Sequence, residues 1–156
     1  NESKEFTGHH VVIENLSLDH VNELYKIEEE SNPTPWKKET FLQVLENRTL
    51  SFVLKKNSTI IGFCIASKLL DECHLQNISV EKAHRTKGIG TYILEILKER
   101  AKLFSTKAIF LEVRESNISA INFYKKHKFK EIGKRNNYYK LKIGREDALL
   151  MQLLLK

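Results

Sequence analysis

The chain has 156 residues, 41% hydrophobic and 29% charged, which suits one ordinary globular domain with a real core and excludes a disordered or fibrous chain. No apolar run approaches the roughly 20 residues that span a bilayer, and two cysteines, Cys64 and Cys73, make neither a disulfide framework nor a zinc motif. The formal charge of +6 raises an acidic partner, but the lysines lie along the chain and form no basic patch interleaved with aromatics, so no nucleic-acid partner is expected.

In chain order, residues 11–16 (VVIENL) read as a short strand. Leu18, Val21, Leu24, Tyr25 and Ile27 then recur at helical spacing. Pro33 and Pro35 mark a turn before a second helix, and SFVLKKN and TIIGFCIASKLL read as neighbouring strands joined at Asn57-Ser58. CHLQNISV is a further strand and leads into HRTKGIG, residues 84–90. A helix from about Gly90 carries Ile93, Ile96, Leu97, Ala101 and Phe104 on one face. In AIFLEVR, Ile109, Leu111 and Val113 fall on one side of a strand, and Phe110, Glu112 and Arg114 on the other. A short helix, ISAINFYKKH, and two closing strands complete the chain. With no repeat or linker, residues 1–156 are expected to form one α/β (α+β) domain, a mixed sheet with helices on both faces.

HRTKGIG spends two of the chain's six glycines among cations. The Walker phosphate loop is absent, and the dinucleotide fingerprint fails because Ile93 stands where its third glycine belongs. A strand, then Arg-Thr-Lys-Gly-Ile-Gly, then a helix is left, which serves either as a plain turn or as an anion cradle of backbone N–H groups at a helix N-terminus. Spacing alone leaves the other residues open too. Glu112 reads as a solvated or salt-bridged glutamate near Arg114, Tyr124 as a core tyrosine with its hydroxyl at the surface, and Asn117 as an N-cap. His74 and His84 lack a third ligand at matching spacing, so no metal site is expected.

The loop Arg85 to Gly90 resembles the acetyl-CoA pyrophosphate loop of the Gcn5-related N-acetyltransferase superfamily, whose element order is also this one. LEVRESNISAINFYKKHKF resembles that superfamily's fifth strand and following helix. Pro35-Trp36, RNNYY (135–139) and REDALLM (145–151) resemble its RimI-type branch, which acetylates the N-terminal alanine of a small-subunit ribosomal protein; the likeness runs from about Pro35 to Met151. The resemblance implies a mostly antiparallel central sheet of about seven strands, splayed between the fourth and fifth. It implies acetyl-CoA as co-substrate and a protein N-terminus as partner; the cysteine usage points to a reducing, cytoplasmic setting, and the lack of a long apolar run to no membrane partner.

Residue by residue, the resemblance makes Glu112 the proton acceptor, directly or through water, with partial burial expected to raise its pKa. Tyr124 becomes the acid that protonates the departing thiolate. Backbone groups of Ile78, Ser79 and Val80 would hold the pantetheine arm; Arg85, Thr86, Lys87, Gly88, Ile89 and Gly90 the pyrophosphate; Asn117 the cofactor as well as its helix. Tyr138 and Tyr139 would grip the acceptor peptide, although alternation in a strand lets only one of them line a cleft easily. Trp36 either builds the opposite wall or staples the second helix. Two departures stand out: Lys128 replaces the family's glycine after the tyrosine helix, so that helix is expected to end differently, and Lys140 replaces its proline after Tyr-Tyr. The rivals are a transferase for a small amine or a lysine side chain, drawing on acids such as Glu28, Glu29 and Glu30, and a CoA-binding module without turnover.

Overall fold

The computed structural model describes every residue except Asn1, Thr7, Gly8 and Thr86, with residues 2–6 and 9 described by backbone alone. Strands β1 (Glu2–Phe6) and β2 (His9–Asn15) lead through one 3-10 turn into α1 (Val21–Ser31) and then α2 (Lys38–Gln43). Strands β3 (Phe52–Lys56), β4 (Thr59–Leu69) and β5 (Glu72–Val80) follow, then α3 (Ile89–Leu103), β6 (Ala108–Arg114), α4 (Ile118–Lys126), β7 (Lys130–Lys140) and β8 (Arg145–Leu154). The expected element order holds from β2 onward. Strand β1 is an addition to it, making an eight-stranded sheet in the order β1-β2-β3-β4-β5-β6-β8-β7.

Local chemistry accounts for the boundaries. Ser17 donates its N–H to His20 Nδ1 at 3.1 Å in a capping box that starts the first helical segment. Asn57 and Ser58 both take positive φ, 51° and 64°, as a two-residue turn matched to strand twist requires. Alternation then sorts the strands into two apolar layers. Phe52, Leu54, Cys64, Ala66, Ile109 and Leu111 pack with Ile93, Leu94 and Leu97 of α3; Val53, Phe63 and Ile65 pack with Leu24 and Ile27 of α1 and with Phe41. Gly62 lets α3 lie close, since a Cβ there would stand 2.8 Å from Ile93 Cδ1 and 3.1 Å from the Ser79 carbonyl.

Helix α4 ends as a glycine-terminated helix does, contrary to the expectation for Lys128. Lys128 takes φ 74°, its N–H donates to the Lys125 carbonyl at 3.0 Å, and the Phe129 N–H donates to the Tyr124 carbonyl at 3.0 Å. The Phe129 ring packs on Tyr124 at 5.4 Å. These bonds and that contact offset a left-handed strain of about 1 kcal/mol.

One irregularity opens the sheet. Ile65 pairs with Asn77 but Ala66 pairs with Leu75, leaving Gln76 as a bulge in β5. The parallel pairing of β5 with β6 runs from Glu72–Ala108 to Leu75–Leu111 and ends there, although β5 continues to Val80 and β6 to Arg114. The other neighbours are antiparallel. The splay falls between β5 and β6, the fourth and fifth strands once β1 is set aside.

Candidate active site

A cleft of about 420 Å³ opens where β5 and β6 part. Strand β6 supplies Phe110 and Glu112 to its floor, β5 supplies His74 and Gln76, β7 supplies Ile132, Arg135, Tyr138 and Tyr139, and Trp36 closes it from the α1–α2 loop. Glu112 reaches the cleft because β6 alternates as its sequence dictates: Ile109, Leu111 and Val113 are buried while Phe110, Glu112 and Arg114 are partly exposed.

The partner of Glu112 is not the neighbouring Arg114. Its Oε1 lies 3.3 Å from Arg135 Nε, and the nearby carboxylate raises the Tyr138 pKa. Arg114 instead pairs with Glu146 at 2.9 Å and stacks 4.3 Å over the Tyr139 ring. Both tyrosines line the cleft, against the alternation expected of a regular strand. The β7–β8 register shifts between Arg135 and Tyr139, and Asn137 takes φ 54°, so Tyr138 belongs to an irregular stretch that alternation does not govern. The rings then meet edge to face at 5.0 Å. Burial pushes the Tyr139 phenol up to about 12.

Tyr124 stands apart from the cleft lining. It packs between Phe123 and Phe129 against the α3 side of the sheet, within electrostatic reach of Cys64 and Tyr139. Burial raises its phenol well above the usual range, so it is a protonated group at neutral pH. Asn117 caps α4, its Oδ1 accepting the Ala120 N–H at 3.2 Å.

In the glycine loop the helix begins at Ile89, one residue before the expected start. Gly88 is its N-cap with φ 78° and ψ 9°, a conformation that favours glycine, and it offers no side-chain acceptor to the first amides of α3. Gly90 is not demanded in the same way, since a Cβ there would stand 3.6 Å from the Phe123 ring, an ordinary contact. Arg85 turns inward: Nε donates to the Val80 carbonyl at 3.0 Å and a terminal nitrogen to Ser31 Oγ at 2.5 Å. Lys87 is exposed, and Thr86 lies outside the described residues. Ile78 and Val80 are half-buried against the α3 layer, and Ser79 donates to Asn77 Oδ1 at 2.9 Å. His74 Nε2 meets Glu72 at 3.0 Å and His84 Nδ1 meets Glu81 at 2.6 Å.

Sequence reasoning missed two contributors. Arg135 was visible only as part of RNNYY, and Glu28, named as an acid that could serve a polycationic substrate, is 1% exposed and bonded inside the protein. Trp36 fills both of its alternatives, with its ring 5.1 Å from Phe41 and its edge on the cleft.

The sheet thus parts beyond a bulge, and a carboxylate on one of the parting strands faces an open cleft. The chain belongs to the acetyltransferase (GNAT) family, whose model matches residues 21–129, and it is an acetyl-CoA-dependent N-acetyltransferase. It is 37% identical over 129 residues to the ribosomal protein bS18-alanine N-acetyltransferase of Escherichia coli (strain K12), covering 83% of this chain and 87% of that one. It is 39% identical over 129 residues to the enzyme so named in Haemophilus influenzae, covering 82% and 88%. The crystal structure of the ribosomal-protein-S18-alanine N-acetyltransferase from Escherichia coli superposes with a TM-score of 0.86 at 34% identity, covering 94% of each chain. The RimI-type resemblance drawn from the glycine loop, LEVRESN and NYY holds over most of the chain.

Proposed function

We propose that the protein acetylates the N-terminal amine of a small-subunit ribosomal protein, with alanine as the first residue, in the cytoplasm. The observation that carries the reading is Glu112 on the floor of the cleft where β5 and β6 part, with Tyr138 and Arg135 over it. The names of the relatives at 37% and 39% identity supply the acceptor.

Acetyl-CoA fits the parted strands. The β5 backbone from Ile78 to Val80 has no β6 partner beside it, so it offers hydrogen bonds to the amides of the pantetheine arm. The N–H groups at the start of α3, with Gly88 and Lys87, suit the pyrophosphate. Arg85 supports this loop from within, and Asn117, the cap of α4, also binds the cofactor.

The acceptor amine attacks the thioester carbonyl carbon as a neutral nucleophile, so a C–N bond forms and the C–S bond breaks. Glu112 takes the amine proton, directly or through water, and Tyr124 gives its phenolic proton to the departing thiolate from the opposite side of the gap. Tyr138 and Tyr139 flank the first residues of the acceptor, which lies extended between β7 and the Trp36 loop. Transfer to a polycationic amine suits the cleft poorly, because Glu28 is spent inside the protein and Arg135 stands at the mouth. A CoA holder without turnover has no use for Glu112 and Tyr124 in these positions.

The test is transfer from acetyl-CoA to two short peptides, followed by mass. One begins with free alanine; the other has a blocked N-terminus and an internal lysine. A mass gain of one acetyl group on the first peptide alone is expected, and acetylation of the lysine peptide alone refutes the reading.

A further inference from the structure

Glu28 is a carboxylate 1% exposed that the proposed chemistry does not use. Burying a carboxylate is costly unless hydrogen bonds replace its water, and Glu28 has three. Its Oε2 accepts the Trp36 backbone N–H at 2.9 Å and Asn32 Nδ2 at 3.3 Å, while Oε1 accepts Asn77 Nδ2 at 3.1 Å. Asn77 Oδ1 in turn accepts Ser79 Oγ at 2.9 Å.

These donors stand on two separate elements, a loop and a strand. Trp36 is the wall on the α1–α2 loop, and Asn77 belongs to β5 just beyond the bulge, beside the segment proposed to hold the cofactor. The bulge makes the link possible. His74 faces the cleft, and regular alternation would send Asn77 to the opposite face, toward α3. The extra residue at Gln76 reverses the phase, so Asn77 lies opposite Ile65 on the α1 side and meets Glu28. The irregularity that parts the strands thus also aims this amide. A second stitch, Arg85 to Ser31, leaves the same turn of α1 for the glycine loop.

We propose that Glu28 is a positioning residue of the acceptor site. Its carboxylate sets the spacing between the Trp36 wall and β5, and so holds the first acceptor residue against the thioester. The inference rests on the acetyl-transfer reading above. Neither surface charge nor contact with the reacting atoms enters it; the carboxylate acts through the Trp36 N–H and Asn77.

The experiment measures KM for acetyl-CoA and for an alanine-first peptide separately, in wild-type protein, Glu28→Ala and Glu28→Gln. Trp36 is the only tryptophan, so its emission reports the loop directly. Glu28→Ala is expected to raise the peptide KM at least about tenfold, leave the acetyl-CoA KM within about twofold and shift Trp36 emission to the red, changes near 1.4 kcal/mol in acceptor binding alone. Glu28→Gln keeps an oxygen for the Trp36 N–H and recovers most of the peptide KM. A wild-type peptide KM in Glu28→Ala, or both KM values rising together, overturns the proposal. Should Glu28→Ala not fold, Asn77→Ala cuts the β5 half of the link and must raise the peptide KM selectively. If wild-type protein acetylates no alanine peptide, the functional reading fails by itself; unchanged Trp36 emission in Glu28→Ala then removes the link as well.

Discussion

The guanidinium of Arg135 stands 3.3 Å from the carboxylate of Glu112, reaching it from β7 across the mouth of the cleft. The arginine side chain is 56% exposed and the glutamate 29%. A pair this open is worth at most about 1 kcal/mol, so an incoming ammonium can take its place beside Glu112. Removing the cation by Arg135→Gln should therefore change the acceptor KM by less than about fivefold in either direction. Steady-state kinetics at two salt concentrations checks this; a hundredfold loss of kcat would make Arg135 part of the chemistry.

Glu112→Gln removes the proposed proton acceptor while keeping the shape of the side chain. Acetyl transfer should fall by roughly 10²–10⁴ in kcat/KM, the range for losing a general base. Calorimetric binding of CoA should be unchanged, because no cofactor contact is assigned to this side chain. Loss of both would mean that the substitution disturbs the splayed strands instead.

Tyr124→Phe deletes one hydroxyl from a site packed by Phe123 and Phe129. Turnover should drop far more than acetyl-CoA affinity. Since burial raises this phenol, it stays protonated beyond its ordinary pKa near 10. The wild-type rate should then show no alkaline loss from this group between pH 7 and 10. Equal turnover in Tyr124→Phe and wild-type protein would remove the acid role.

Two positive-φ positions make opposite predictions. Gly88 holds φ 78° at the start of α3, so Gly88→Ala should cost about 1 kcal/mol and weaken acetyl-CoA binding. Lys128 already bears that strain at φ 74°, so Lys128→Gly should stabilise the fold by roughly 0.5–1 kcal/mol and leave transfer unchanged. Thermal melts with and without CoA separate the two.

Alkaline pH should destabilise the protein through its buried thiols. Burial pushes Cys73 up to about 12 and raises Cys64 well above the usual thiol range, whereas an unfolded thiol ionises near 8.5. A raised folded pKa means that this contribution is complete below about 8.5 and is lost as pH rises toward 12. Denaturant midpoints at pH 7.5, 9 and 10 should fall in that order, and Cys73→Ala should flatten the slope.

Much of this molecule is legible from local pattern. The alternation in AIFLEVR put Glu112 on the open face of β6, and the structure agrees because a strand's period leaves no other choice once Ile109, Leu111 and Val113 are buried. Asn57-Ser58 as a hairpin turn and Asn117 as a cap are likewise local events, decided within a few residues. The glycine loop was legible as a strand-to-helix junction. Which of its glycines the backbone requires was not, since only the dihedral angles separate Gly88 from Gly90.

By itself, then, the sequence determined the order of elements from β2 onward, the faces of regular strands and the family. Only the tertiary structure decided where regularity breaks and what meets across the cleft. The bulge at Gln76, the irregular stretch around Tyr138 and the left-handed Lys128 are set by pairing and packing with distant segments, which can outweigh about 1 kcal/mol of local preference. Arg135 against Glu112 and Asn77 against Glu28 lie 23 and 49 residues apart in the chain. Their partners exist only once the sheet has closed and parted, because a charged side chain carries no local mark of the group it will face.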